Sequence, residues 1–165
     1  GKGMIVYHGS NQIVNHPDVR YSERNLDFGR GFYVTTVKEQ AVKWARRKAG
    51  FSKDNTRAIL NIYEMKDERD GLAFKDFGDD LDTWIDFVCR CRDGEQGYRE
   101  FDVIKGKVAN DKVFRVVDMY HSGIWDKERA LREIRVYPGY DQIAFITQLA
   151  VERLLKFCAF EEVEA

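Results

Sequence analysis

Three short stretches carry residue types suited to chemistry. His8-Gly9-Ser10 sets an imidazole and a hydroxyl beside a glycine whose backbone can approach a ligand closely. Phe28-Gly29-Arg30-Gly31-Phe32-Tyr33 puts one guanidinium between two glycines and follows it with an aromatic pair. Asp141-Gln142-Ile143-Ala144-Phe145 begins a β-branched and aromatic run with a carboxylate and an amide. Each has an ordinary structural reading as well. His8 can be a strand-end histidine bonded to a carbonyl, Tyr33 a buried strand aromatic with its hydroxyl satisfied, and Gln142 a polar residue at a strand start. A serine-hydrolase reading of Ser10 with His8 lacks the Gly-x-Ser-x-Gly elbow that would expose the nucleophile.

The elements that must position these groups follow from hydrophobic periodicity. Met4 to Tyr7 predicts a core strand that delivers His8 at its end. Residues 11–25 are polar, hold Pro17 and read as a loop. Phe32 to Thr35 suits a strand. Thr36 and Glu39 form a capping-box pattern, so the spacing predicts a helix from there, with Val37, Ala41, Trp44 and Ala45 on one face and Gly50 closing it. Further strands are predicted over 57–64, 72–77, 101–104, 141–146 and 157–163, with Gly106 marking a bend or bulge. Helices are predicted from Asp79 or Asp80 (Leu81, Trp84, Ile85 and Val88 inward), from Asn110 or Asp111 to Gly123 (Val113, Val116, Val117 and Tyr120 inward), from Asp126 to the Pro138-Gly139 break, and from Thr147 to Leu155 (Leu149, Ala150 and Leu154 inward). Strands and helices intersperse without regular βαβ alternation, which predicts an α+β class.

Composition narrows the function classes. A chain of 165 residues, 44% hydrophobic and 33% charged, suits one folded domain. Gly1-Lys2-Gly3 before Met4 reads as a cloning remnant, leaving 4–165 as a single domain. A net charge of −1 offers no general electrostatic attraction to nucleic acid. No apolar run is long enough to span a membrane, and no signal peptide is visible. Three cysteines, Cys89, Cys91 and Cys158, suit free thiols in a reducing cytoplasm. Cys89-Arg90-Cys91 lacks zinc-knuckle spacing, so no metal is expected. His16 and His121 read as surface histidines, and Glu161, Glu162 and Glu164 as a solvated tail.

In order and spacing, the three stretches resemble the ADP-ribosyltransferases, in the diphtheria-toxin/poly(ADP-ribose) polymerase branch. Tyr7-His8-Gly9-Ser10 resembles that family's His-Gly-Ser/Thr motif. Phe28-Gly29-Arg30-Gly31-Phe32-Tyr33-Val34-Thr35 resembles its Phe-Gly-Lys-Gly-hydrophobic-Tyr-Phe-Ala run, with Trp44 where a second aromatic falls. The likeness is good over the first third of the chain and thin afterwards. Among smaller proteins the chain looks most like bacterial transferase-like proteins of toxin–antitoxin gene pairs.

The resemblance implies two small facing β-sheets with an NAD cleft between them and helices at their sides. It implies NAD as substrate and transfer of a single ADP-ribose unit to a macromolecule, protein or nucleic acid, with a cognate antitoxin as a possible partner and no membrane. His8 would bond the nicotinamide ribose, Gly9 would pair its backbone with the carboxamide, and Ser10 would support that contact. Gly31 belongs to the same binding loop, Tyr33 and Trp44 would flank the nicotinamide, and Arg30, with Arg20 and Arg24, could meet the diphosphate. The strand equivalent to Gln142-Ile143-Ala144-Phe145 often starts with a catalytic glutamate in that family. A neutral amide there cannot take a proton or stabilise a developing cation as a carboxylate does; Gln142 would instead orient the ribose or the acceptor. Asp27, Asp102, Asp111 and Asp141 are carboxylates that could lie nearby. Two alternatives remain: a non-catalytic module that keeps the fold and binds a partner, and an NAD-dependent RNA 2′-phosphotransferase, which would need a basic face.

Overall fold

The structure is a computed structural model that describes residues 3–21 and 26–164, with only the backbone of Tyr21 included. Among the described residues seven strands and five α-helices run in the order β1 Met4–Ser10, β2 Phe32–Val34, α1 Lys38–Phe51, β3 Ala58–Met65, β4 Phe74–Asp76, α2 Leu81–Arg92, β5 Val103–Lys107, α3 Asp111–His121, α4 Lys127–Ile134, β6 Asp141–Phe145, α5 Gln148–Leu154 and β7 Leu155–Val163. Two short 3-10 turns lie at Val19–Tyr21 and Gly97–Glu100. The expected α+β class with two small sheets is what the chain forms.

One sheet has the order β1-β3-β7 and the other β2-β6-β5-β4. The first is antiparallel throughout, and the second is antiparallel except for β4 beside β5. Among the described residues a backbone bridge joins them, in which Tyr7 and Thr35 exchange hydrogen bonds of 2.8 and 2.9 Å. Val6, Tyr63 and Met65 of the first sheet share a core with Phe32, Val34, Val103, Ile143 and Phe145 of the second, closed by Ala150, Val151 and Leu154 of α5. The far face of the second sheet, marked by Tyr33, Ile104 and Ala144, packs on Trp84, Ile85 and Val88 of α2, on α3 and on α4. Helix α1 lies against β1 and β3.

Local signals explain most boundaries. Asp80 caps α2 by accepting from Thr83 N, and Asp126 caps α4 by accepting from Arg129 N at 2.8 Å. Thr147 caps α5 through Ala150 N. Four expectations need correction. The capping box at Thr36 does not form, because Asp141 is a stronger acceptor and takes Thr36: its Oδ1 accepts from Thr36 N at 2.9 Å and its Oδ2 from Thr36 Oγ1 at 2.7 Å. Gly50 stays within α1, which runs one residue further. Leu149 faces outward at 45% exposure, and Val151 takes the inward position. Gly106 makes no bulge; it sits in the β5–β6 ladder opposite Gln142. A Cβ on Gly106 would lie 2.8 Å from Phe28 and 3.2 Å from both Phe77 and Trp84, so the glycine admits the ring cluster beneath it.

The acidic C-terminal stretch belongs to the outer strand β7. Glu161 pairs with Lys38 at 3.4 Å and Glu162 with Arg57 at 3.2 Å. Cys89 and Cys91 are buried and Cys158 is exposed, all as free thiols. Among the described residues no helix is long and apolar enough to cross a membrane.

Candidate functional site

β1 carries His8-Gly9-Ser10 at its C-terminal end, where the two sheets meet. His8 follows Tyr7, the residue of the inter-sheet bridge, and its Nδ1 lies 2.7 Å from the Tyr33 carbonyl oxygen. The histidine motif and the glycine–aromatic run, distant in sequence, are thereby joined. The His8 ring also packs on Phe32, with centroids 4.3 Å apart. Burial disfavours the imidazolium and pulls its pKa down to about 4, more than the Tyr33 carbonyl raises it. His8 is therefore a neutral imidazole at physiological pH, with the proton on Nδ1 that the carbonyl requires.

Gly9 is fixed by packing. A Cβ there would overlap the Ala41 carbonyl oxygen and lie 2.6 Å from Ala45 N, so α1 approaches β1 backbone to backbone. Ser10 is fully buried, and its Oγ accepts from Gln12 N at 3.3 Å.

The glycine–aromatic run is a turn locked from within. Gly29 has φ +84°, a left-handed conformation that glycine tolerates, and the Tyr98 ring fills the place a Cβ would need. A Cβ on Gly31 would lie 2.6 Å from the Phe145 carbonyl oxygen. The Tyr33 hydroxyl accepts from Phe28 N at 2.9 Å and donates to Gly29 O at 2.7 Å, which ties the turn to β2. Burial raises its pKa well above the ordinary phenol value. Tyr33 thus takes the structural role of a buried tyrosine and stands on the helix-covered face of its sheet. Trp44, on α1, is half-buried.

Gln142 is 4% exposed. Its Nε2 donates to Asp27 Oδ2 at 3.1 Å and to the Lys107 carbonyl at 3.2 Å. Asp27 also accepts from Ala109 N at 3.0 Å on the same oxygen and from Arg92 Nη2 at 3.0 Å on the other. Asp27 and Arg92 are 15% and 16% exposed, so this is a largely but not fully buried ion pair with satisfied geometry. Of the other carboxylates, Asp141 accepts from Thr35 and Thr36, Asp102 from Ala73 N and Thr147 Oγ1, and Asp111 pairs with Arg47 at 3.6 Å. The partners Arg92 and Lys107 carry no sequence signal of their own; Asp27 has one, its position directly before Phe28-Gly29.

Arg30 is exposed and lines a surface cavity of about 530 Å³ with Arg20, Arg99, Tyr98 and Thr147. Arg20 is already held by Asp18 at 2.8 Å. Arg24 lies outside the described residues. A second cavity of about 440 Å³ is lined by Asp76, Lys105, Lys107, Arg135, Tyr140 and Asp141. His8, Tyr33, Trp44 and Gln142 line neither cavity. His16 is exposed, and His121 pairs with Asp93 at 3.0 Å near the surface. Among the described residues no group of His, Cys, Asp and Glu could hold a metal ion.

The profile of a family described as "Protein of unknown function (DUF3990)" matches residues 4–157. The chain belongs to that family. The match covers both sheets apart from residues 158–163, most of β7, and it embraces every candidate site residue. Comparison with curated proteins and with solved structures gives no match.

Proposed function

We propose that this chain is an NAD-dependent mono-ADP-ribosyltransferase with the fold of that family, moving one ADP-ribose unit to a macromolecular acceptor. The ordered motifs of the sequence support the reading, and one geometric observation carries it. The His8 imidazole bonds the backbone of Tyr33 at 2.7 Å, so the two motif segments form one unit at the junction of the sheets. A neutral imidazole suits bonding to a ribose hydroxyl, because it needs no counter-ion. In the reaction the ribose C–N bond to nicotinamide breaks with both electrons going to the ring nitrogen, which becomes neutral. A lone pair of the acceptor forms the new bond to that ribose carbon, and the acceptor's proton leaves to solvent. Gln142 orients the ribose or the acceptor in place of a carboxylate. A role as the toxin of a toxin–antitoxin pair goes with this reading.

A specific observation favours a second reading, a non-catalytic module. His8, Tyr33 and Gln142 are 8%, 8% and 4% exposed, so a dinucleotide reaches them only if the surrounding elements move apart. Label transfer from labelled NAD to a cell lysate separates the two. Transfer by the wild type that is lost in His8→Ala, with the fold intact by circular dichroism, supports the transferase. Retained transfer by that variant overturns the site assignment. Absence of binding and turnover in the wild type favours the module.

A further inference from the structure

The Gln142 amide has one orientation. The two groups facing its nitrogen, Asp27 Oδ2 and the Lys107 carbonyl, are both acceptors. An amide turned the other way would set its own oxygen against them. Both N–H groups are thereby taken. Oε1 has no donor within hydrogen-bond distance among the described residues, whose bonds to this amide all go to its nitrogen. Asp27 cannot turn away to release the amide, because Ala109 N and Arg92 hold its two oxygens. The Arg92 guanidinium is itself packed 4.2 Å from the centre of the Phe114 ring.

We infer that Asp27 is a positioning residue for Gln142: it holds the amide by its nitrogen, so that Oε1 is the acceptor the site offers to a hydroxyl-bearing ligand. The identification of that ligand as the ribose of NAD rests on the function proposed above; the coupling of the two side chains does not. Negative charge and ligand-facing oxygen, which a single glutamate would combine, are here divided between residues 27 and 142. A glutamate at 142 would consequently be a poor substitute. Its carboxylate would stand about 3 Å from the Asp27 carboxylate and the Lys107 carbonyl, with no donor between them. Two such carboxylates share a proton, and the pair's upper pKa rises by about two units or more.

The sign follows directly. A carboxylate whose folded pKa is raised destabilises the fold as pH rises above its unfolded value of about 4. Other titratable or charged groups around Asp27 are Arg92 on α2, the Cys91 thiol and the Tyr33 hydroxyl; burial and the Asp27 charge raise the pKa values of the last two, which stay protonated through pH 8. The test compares urea unfolding of Gln142→Glu with that of Gln142→Met between pH 4 and pH 8. Relative to the methionine variant, the glutamate variant should lose about a hundredfold in folding constant over that range. In an Asp27→Asn background the loss should fall below about tenfold. The same loss in both backgrounds, or none in either, would overturn the coupling. If the Asp27→Asn background does not fold, absence of the loss in the wild-type background still overturns the coupling. The ligand is tested by calorimetry with NAD and with an NAD analogue lacking the nicotinamide-ribose hydroxyls. Wild type should prefer NAD, and Gln142→Met should lose the preference. A preference unchanged by Gln142→Met overturns the role of Oε1. pH coupling without NAD binding in the wild type leaves Asp27 as the positioning residue and removes NAD as the ligand.

Discussion

Replacing Gly9 by alanine separates packing from ligand binding in the His-Gly-Ser motif. The added methyl meets backbone rather than a flexible side chain: it overlaps the Ala41 carbonyl oxygen and lies 2.6 Å from Ala45 N and 3.0 Å from Ala41 C. An ordinary carbon contact is about 3.5–4.0 Å, so α1 must retreat from β1 by roughly 1–1.5 Å. A gap of about 1 Å already forfeits up to a half of each contact across it, and α1 contacts β1 more than any other element. Forced overpacking of this kind costs about 3 kcal/mol. For a chain of this length that is a fall in Tm of about 6–12 °C, measured by differential scanning calorimetry. Gly50→Ala is the control: nothing lies within 4 Å of its Cβ, and it sits in the last turn of the same helix. It should be neutral or raise stability by about 0.5 kcal/mol. A Gly9→Ala protein as stable as the wild type would refute the close approach, and the glycine would then need a functional reason.

Two further outcomes follow from buried ionisable groups. His8 titrates at about 4 in the fold against 6.5 in a free chain. The unfolded chain takes up that proton first, so stability falls as pH drops from 6.5 towards 4, by about 3 kcal/mol in all; urea midpoints at pH 7 and pH 5 should show the loss in wild type and not in His8→Gln. Burial pushes the Cys89 thiol to about 11 and the Cys91 thiol to about 12, while Cys158 is exposed. Native protein should therefore react with a thiol reagent rapidly at one cysteine, lost in Cys158→Ser, and at three after denaturation.

The class and most elements were legible in the sequence because they follow from local rules. Asp80, Asp126 and Thr147 cap where a short polar side chain precedes an apolar helical face. The failures arise where a distant residue competes. Thr36 has the pattern of an N-cap, but Asp141, brought in by β6, takes its hydroxyl and its N–H. Glu161 and Glu162 are exposed, as a solvated run predicts, and lie in the strand predicted over 157–163; what no local rule shows is that β3 is its partner and that Arg57 pairs with Glu162. At the candidate site, the contact between His8 and Tyr33 was foreshadowed by motif order, whereas the Asp27–Gln142–Arg92 cluster joins three segments that no periodicity relates. Gly9 shows the same limit: a glycine beside a histidine suggests ligand approach, and only the position of α1 reveals the packing demand.

The strand pairings also fix an order of events during synthesis. Strand β2, which carries Tyr33, finds its ladder partner only in β6, where Ala144 stands opposite that tyrosine. Strand β3 pairs with β1 early but meets β7 only when residues 155–163 have been made. At about 5–20 residues per second, Tyr33 waits roughly 5–20 s for its partner. Until then β1, α1 and β3 can assemble on their own, while the glycine–aromatic turn and its strand are held to β1 by the Tyr7–Thr35 bridge and the His8–Tyr33 bond and lack the ladder of their own sheet. The sheet whose backbone meets His8 at Tyr33 is thus completed late in translation, and a nascent chain stalled before β6 would display Phe32, Tyr33 and Val34 to whatever chaperone attends it.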